Sequence, residues 1–347
     1  MTKIPEIGGE QALIKHINKS ISINKEEVIL GIGDDAAVTK APKDKNLVFT
    51  TDMLVEDVHF SLDFYTPEQI GKKAVVANIS DIASMGAIPK HMLISLAIPK
   101  DITVEFIDGL YKGIMSETDK YNINIIGGNM TGSPSEAIII NIVIAGEVDK
   151  EIRRSGAEEE DIILVTGDLG ASGAGLYFLQ NNTNISKESG SILKKIHINP
   201  QHCLKESQIL KKLNCITSMD DISDGLATET REICEASNVG AIIYKQKIPT
   251  SKATEELLRS IKKDTKETAL YGGEDYELLF TTKKENEKII IDTLKKQTGT
   301  SVTTIGKITK EKSIYLIDEE GKKQELKKTG YDHFKQNPFD FKKRDIL

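Results

Sequence analysis

Residues 27–38 and 46–60 form two β-rich runs of apolar and polar side chains. Ile70, Ala74, Val75 and Ile79 instead recur at helical spacing, which predicts a helix over 67–85. A strand over 91–98, a helix over 104–121 and strands over 123–126 and 137–147 complete an α/β unit. After the charged stretch EVDKEIRRSG the pattern restarts. It predicts strands over 161–166, 241–244, 276–281, 302–308 and 313–317, and helices over 171–180, 201–213, 224–237, 252–263 and 284–297. The polar segment 181–191 reads as an exposed connection. The restart places the boundary near 148–155, giving domains over 1–149 and 150–347.

Length agrees with that division, since 347 residues exceed the roughly 250–300 that one core usually supports. A formal charge of −7 with scattered lysines argues against a nucleic-acid surface, which needs clustered phosphate neutralisation. Cys203, Cys215 and Cys234 are odd in number and show no CxxC spacing, the usage of a reducing compartment. The N-terminal MTKIPEIGGEQALIKHI lacks the apolar core of a signal peptide, and the apolar run 137–145 is too short to span a bilayer. The expectation is a soluble cytoplasmic protein without membrane or nucleic-acid partners.

Six short blocks carry the candidate chemistry: GIGDDAAV, TTDMLVEDVHF, NISDIASMGA, GGNMT, DDISDG and YGGEDYELLF. Each sets carboxylates, hydroxyls or amides beside glycine or at the end of an apolar run. Such clustering of hard oxygen donors points to Mg²⁺, which binds carboxylates and substrate phosphates. Asp34 and Asp35 are adjacent carboxylates that repel unless a cation or donors accompany them, although a solvated turn with an Asp cap accounts for the same residues. Strand alternation puts Thr50 and Asp52 on one face and Thr51 on the other. Asp81 lies in an apolar helix, so it either meets a metal or donors, or lies on a wet face beside Asn78. Asp221 and Asp224 face the same way if a helix starts there, and an ordinary N-terminal cap explains part of that block as well. The glycines of TGDLGASGAGL are misspaced for a dinucleotide fingerprint and read as close helix packing.

Taken in this order, IGDDAAV, TTDMLVEDVHF, NISDIASMGA, RSGA, DISDGL, GGEDYELLF and GYDHF resemble the PurM-like ATP-dependent family, and within it the thiamine-monophosphate kinases. The resemblance implies an α+β (mixed α/β) two-domain fold, with an N-terminal sheet-plus-helices domain and a C-terminal α/β domain. It implies Mg²⁺ ligation by Asp35, Thr50, Thr51, Asp52, Asp81, Asp221 and Asp224. It implies ATP contacts from Gly128, Arg154 and Ser223, and thiamine monophosphate contacts from His59, Glu274 and Tyr331. Asn129 stands where many members carry an aspartate, and is a neutral oxygen donor at a metal and ATP position. A homodimer paired through the first domains' sheets is implied as well.

The reaction so implied joins the terminal phosphoryl of ATP to the phosphate of thiamine monophosphate by in-line transfer. No catalytic base is expected, because a phosphate monoester with a second pKa of about 6 is already mostly dianionic at neutral pH. Two alternatives accompany this expectation: another PurM-like enzyme such as aminoimidazole ribonucleotide synthetase, and a non-catalytic thiamine-phosphate or nucleotide sensor.

Overall fold

The structure, a computed structural model, describes residues 2–7, 10–32, 37–181, 183–326 and 330–331. Among the described residues two compact units separate, one built from the chain up to Ile82 and Ile88–Lys150, the other from Ala83–Ala87 and the chain from Glu151 to Tyr331.

The first unit contains α1 (Glu10–Asn18), β1 (Val28–Leu30), β2 (Val38–Thr39), β3 (Asn46–Val55), α2 (Pro67–Ser84), β4 (Ile88–Ile98), α3 (Val104–Tyr121), β5 (Asn124–Gly132) and β6 (Ile139–Val148). Four of its strands form a sheet in the order β3-β6-β4-β5. β4 and β5 run parallel, joined through α3, and β6 inserts antiparallel between β3 and β4. α3 starts where the Thr103 hydroxyl accepts from the Phe106 N–H, and ends at Asn122 in the left-handed conformation. Alternation along β6 buries Ile140, Ile142 and Ile144 and leaves the residues between them half-buried. The opposite face of this sheet exposes Leu47, Phe49, Met53 and Leu93.

The second unit contains β7 (Ile162–Thr166), α4 (Ala171–Gln180), α5 (Lys187–Ile198), α6 (Leu204–Leu213), β8 (Ile216–Asp221), α7 (Leu226–Ser237), β9 (Gly240–Tyr244), α8 (Lys252–Ser260), α9 (Glu267–Tyr271), β10 (Leu278–Thr282), α10 (Glu287–Thr298), β11 (Val302–Thr309), β12 (Ile314–Ile317) and β13 (Lys323–Glu325). Its mixed sheet has the order β13-β12-β9-β11-β7-β10-β8. Alternate residues of the inner strands feed two cores. Ile163, Val165 and Leu279 pack with Leu226, Ala227 and Ile233 of α7, while Ile162, Leu164, Leu278 and Phe280 pack with Leu210 of α6 and Ile290 and Leu294 of α10. The architecture is mixed α/β in both units.

Segment 181–191 is not a simple connection, because α5 begins at Lys187. Gly190 and Ser191 weaken helical propensity there, but Ser186 caps the helix and Leu193 is fully buried, so tertiary packing overrides local preference. α1, α9 and β13 are likewise short elements that periodicity does not announce. Among the described residues no helix is long and apolar enough to cross a membrane.

Candidate functional site

In the first unit, β3 and α2 bring three of the expected ligands together. Thr50 and Asp52 are half-buried on the face of β3 turned toward α2, and the Thr50 hydroxyl donates to the Asp81 carboxylate in a short contact. The Asp52 N–H donates to Asn78 Oδ1 at 3.1 Å, and Asn78 Nδ2 donates to the Ala74 carbonyl at 3.0 Å. Asn78 is fully buried, so α2 has no wet face there, and Asn78 serves to hold the edge of β3. This donor set is hydroxyl and carboxylate oxygen, the chemistry that suits Mg²⁺ rather than a softer metal. Asp35 lies outside the described residues. Among the described residues no three His, Cys, Asp or Glu side chains stand close enough to hold a metal ion by themselves.

Two expected metal ligands stand apart from this group. Thr51 is exposed on the opposite face of β3, where its hydroxyl donates to Asn141 Oδ1 at 3.1 Å. Asn129 is exposed on β5, beside Ser95, at the other edge of the sheet from β3. Three inter-strand spacings of about 4.8 Å separate those edges by about 14 Å, too far for one ion to be shared between Asn129 and Asp52 of the same chain. Neighbouring Gly128 pairs with Ile94. His59 follows β3 in a tight turn, its Nδ1 accepting from the Val55 N–H at 3.0 Å.

In the second unit, motifs far apart in sequence converge on the start of α7. The Glu274 N–H donates to the Ser223 carbonyl at 2.7 Å, and the Tyr331 N–H donates to the Asp224 carbonyl at 2.9 Å. Gly330 makes that approach possible, because a Cβ there would lie 1.9 Å from the Asp224 carbonyl oxygen. DDISDG, GGEDY and the glycine–tyrosine pair near the C-terminus therefore form one surface. α7 begins at Leu226, not at 224, with Gly225 as its cap residue and no side-chain cap bond. Asp221 thus ends β8, buried, and Asp224 lies in the turn, its N–H bonded to the Glu229 carboxylate at 2.8 Å. The cap explanation of the block therefore fails.

Arg154 Nε pairs with Asp220 at 2.8 Å and its Nη1 with Glu232 at 2.7 Å. Burial pushes the Asp220 carboxyl up to about 7, against the pull of Arg154. Asp220 precedes Asp221 in the same motif yet was not among the expected ligands; the doubled aspartate is the sequence signal for it. Glu274 and Tyr276 both adopt positive φ, which for a tyrosine is strained backbone of the kind concentrated at functional sites. The stretch is held by Asp275, whose carboxyl accepts from the Gly170 N–H at 2.6 Å and the Ser172 N–H at 3.4 Å at the start of α4. Buried His197 of α5 adds a second support, its Nδ1 lying 3.0 Å from the Ser172 hydroxyl and 3.7 Å from Glu274 Oε2.

Loss of water around the Asp275 carboxyl pushes its pKa up to about 8, the main-chain donors of α4 opposing the shift. The native state therefore keeps a proton that the unfolded chain releases near the ordinary carboxylate pKa of about 3.9, and stability falls as pH rises between the two values. Asp275→Asn retains an acceptor for Gly170 without the charge. The variant is expected to melt above wild type at pH 8.5 and close to it at pH 5, read by thermal scans across that range. A constant difference at both pH values would remove Asp275 as the source.

The AIR synthase related protein N-terminal domain model matches residues 33–148, and the AIR synthase related protein C-terminal domain model matches residues 158–319. The chain is 36% identical to the thiamine-monophosphate kinase of Bacillus subtilis, the match covering 90% of this chain and 96% of that protein. A crystal structure of thiamine-monophosphate kinase from Stenotrophomonas maltophilia superposes with a TM-score of 0.78 at 28% identity, covering 90% of this chain and 95% of that one. The structure of AaThiL complexed with AMPPCP and TMP superposes with a TM-score of 0.74 at 32% identity, covering 96% of this chain and 99% of that chain.

Proposed function

Because the chain belongs to the thiamine-monophosphate kinases of the AIR synthase related family, we infer that it transfers the terminal phosphoryl group of ATP to thiamine monophosphate, giving thiamine diphosphate and ADP. A relative in complex with AMPPCP, an ATP analogue, and TMP supports both substrates. The observation in this chain that carries the reading is the convergence of Ser223, Asp224, Glu274 and Tyr331 through main-chain bonds of 2.7 and 2.9 Å. It assembles residues matching ATP, metal and substrate positions of the family from three separate stretches of sequence.

Chemically, the problem is to bring two polyanions into line, since the attacking phosphate oxygen needs no base. Thr50, Asp52 and Asp81 of the first unit, with Asp35, and Asp221 and Asp224 of the second, are the residues that would hold Mg²⁺. Several Mg²⁺ ions, when bound, would supply charge neutralisation on the phosphates. Arg154 presents a planar fork already held by Asp220 and Glu232, which leaves Nη2 to meet a phosphate oxygen without reorganising. His59, Glu274 and Tyr331 each match positions that contact thiamine monophosphate in the family, and the imidazole of His59 suits a phosphate oxygen. Gly128 and Asn129 contribute on the ATP side from the far edge of the first sheet. Formation of thiamine diphosphate and ADP from thiamine monophosphate, ATP and Mg²⁺, followed by chromatography, tests the assignment; ATP turnover without thiamine diphosphate would overturn it, and binding without turnover would favour a sensor.

The assembly proposed is a cytoplasmic homodimer formed through the open face of the first sheet. Phe49 is 65% exposed and Met53 53%, on the same face as Leu47 and Leu93, an exposed apolar cluster interrupted by Thr51. Light scattering at micromolar concentration is expected to give twice the chain mass, and Phe49→Asp to give the monomer. A monomeric wild type would remove the sheet face as an interface.

A further inference from the structure

Lys73 of α2 carries a charge into the interior of the first unit, with 1% of its surface exposed. An ammonium withdrawn from water persists only where fixed partners replace its hydration. Its Nζ donates to the His59 carbonyl oxygen in a short contact and to the Tyr65 hydroxyl at 3.4 Å, and stands 5.3 Å from the centroid of the Tyr65 ring. These partners lie at and beyond the turn that carries His59. That turn is locally tight: the Asp57 N–H donates to the Phe60 carbonyl at 2.7 Å with Asp57 at φ 61°, and the His59 N–H donates to the Val55 carbonyl at 2.9 Å. Phe60 and Tyr65 are buried beside it.

The main chain of His59 is thus fixed by Lys73 from below, while its ring is fixed by Val55. Because Nδ1 accepts a hydrogen bond from the Val55 N–H, the neutral imidazole carries its proton on Nε2. A phosphate oxygen is the matching acceptor. We propose that Lys73 is a positioning residue for substrate recognition, holding the 56–65 segment so that His59 meets the phosphate of thiamine monophosphate as an Nε2–H donor. The inference rests on His59 as a substrate contact. Nothing in the reaction requires a lysine buried behind this turn, and core packing alone would be served better by an uncharged side chain.

The test is a double-mutant cycle of Lys73→Met and His59→Ala, with thiamine monophosphate varied at saturating ATP. Lys73→Met is expected to raise KM for thiamine monophosphate about tenfold, as a displaced binding group does, with KM for ATP unchanged. In the double variant the increase should not exceed that of His59→Ala alone. Additive losses, or a KM that stays at the wild-type value while the melting temperature falls, would reduce Lys73 to a purely structural residue. If His59→Ala leaves KM unchanged, the substrate role of His59 fails and the inference with it; if His59→Ala raises KM and Lys73→Met does not, the inference alone fails. Should Lys73→Met not fold, Lys73→Gln provides the comparison through the ¹⁵N shifts of the His59 ring. A single Nε2–H tautomer in wild type and a mixture in the variant is the expected result, and an unchanged tautomer overturns the proposal.

Discussion

Asp81→Asn is expected to lower kcat on the order of 10²–10³-fold, the loss typical of removing one preorganised electrostatic group from a site where charge must be managed. The argument begins in α2, where Asn78, Ile79, Ser80 and Ile82 are all fully buried and Asp81 is half-buried. A carboxylate at such a position needs a reason to remain charged. The Thr50 hydroxyl supplies one donor, and Asp52 stands on the same face of β3, so that two carboxylates and a hydroxyl present oxygens in one direction. Two carboxylates repel one another in the absence of a cation, and their joint presence is a cost the fold carries for function. Asparagine keeps the size and still accepts from Thr50, so the melting temperature in the absence of Mg²⁺ should stay at or slightly above the wild-type value. Turnover and melting are therefore expected to move independently, and the Mg²⁺ concentration for half-maximal rate should rise. Full turnover in the variant at ordinary Mg²⁺ would exclude Asp81 from the metal site. A matching fall in turnover and melting temperature would make it a structural residue instead.

The alternation of TTDMLVEDVHF is a purely local property, and it correctly separates Thr50 and Asp52 from Thr51. The family resemblance places all three at metal positions. Asn129 shows the opposite limit. Its distance from Asp52 is set by strand order, β6 and β4 intervening, and no local pattern encodes which strands become neighbours. The cluster on α7 was legible only as separate motifs, since the bonds from Glu274 to Ser223 and from Tyr331 to Asp224 span about 50 and 100 residues of chain. α5 went unread because Gly190 and Ser191 interrupt its helical pattern, and with it the position of His197 behind Glu274. Lys73 is the most instructive omission. Within an apolar helical run a lysine reads as the solvated side, and only the turn brought back from β3 gives its ammonium partners indoors.

Gly128→Ala is expected to destabilise the protein by about 3–5 kcal/mol, at the diagnostic end of single substitutions, read by thermal melting and by loss of soluble protein in expression trials. A Cβ at Gly128 would lie 1.8 Å from the Ile94 carbonyl oxygen, 2.8 Å from its carbon and 3.0 Å from the Ile94 nitrogen. None of those atoms is the end of a flexible side chain. Ile94 belongs to β4, an inner strand bonded to β5 on one side and to β6 on the other, so retreat from the new methyl would break one ladder or the other. The pairing of β4 with β5 is already irregular at Met92 and Leu93, where the register shifts. Gly132 in the same strand is the control, because nothing lies within 4 Å of a Cβ placed there. Gly132→Ala should melt near wild type. If Gly128→Ala also melts near wild type but loses affinity for ATP, the glycine is retained for the nucleotide and not for the sheet; if both properties fall together, the close approach of β4 and β5 is what shapes the edge on which Gly128 and Asn129 are presented.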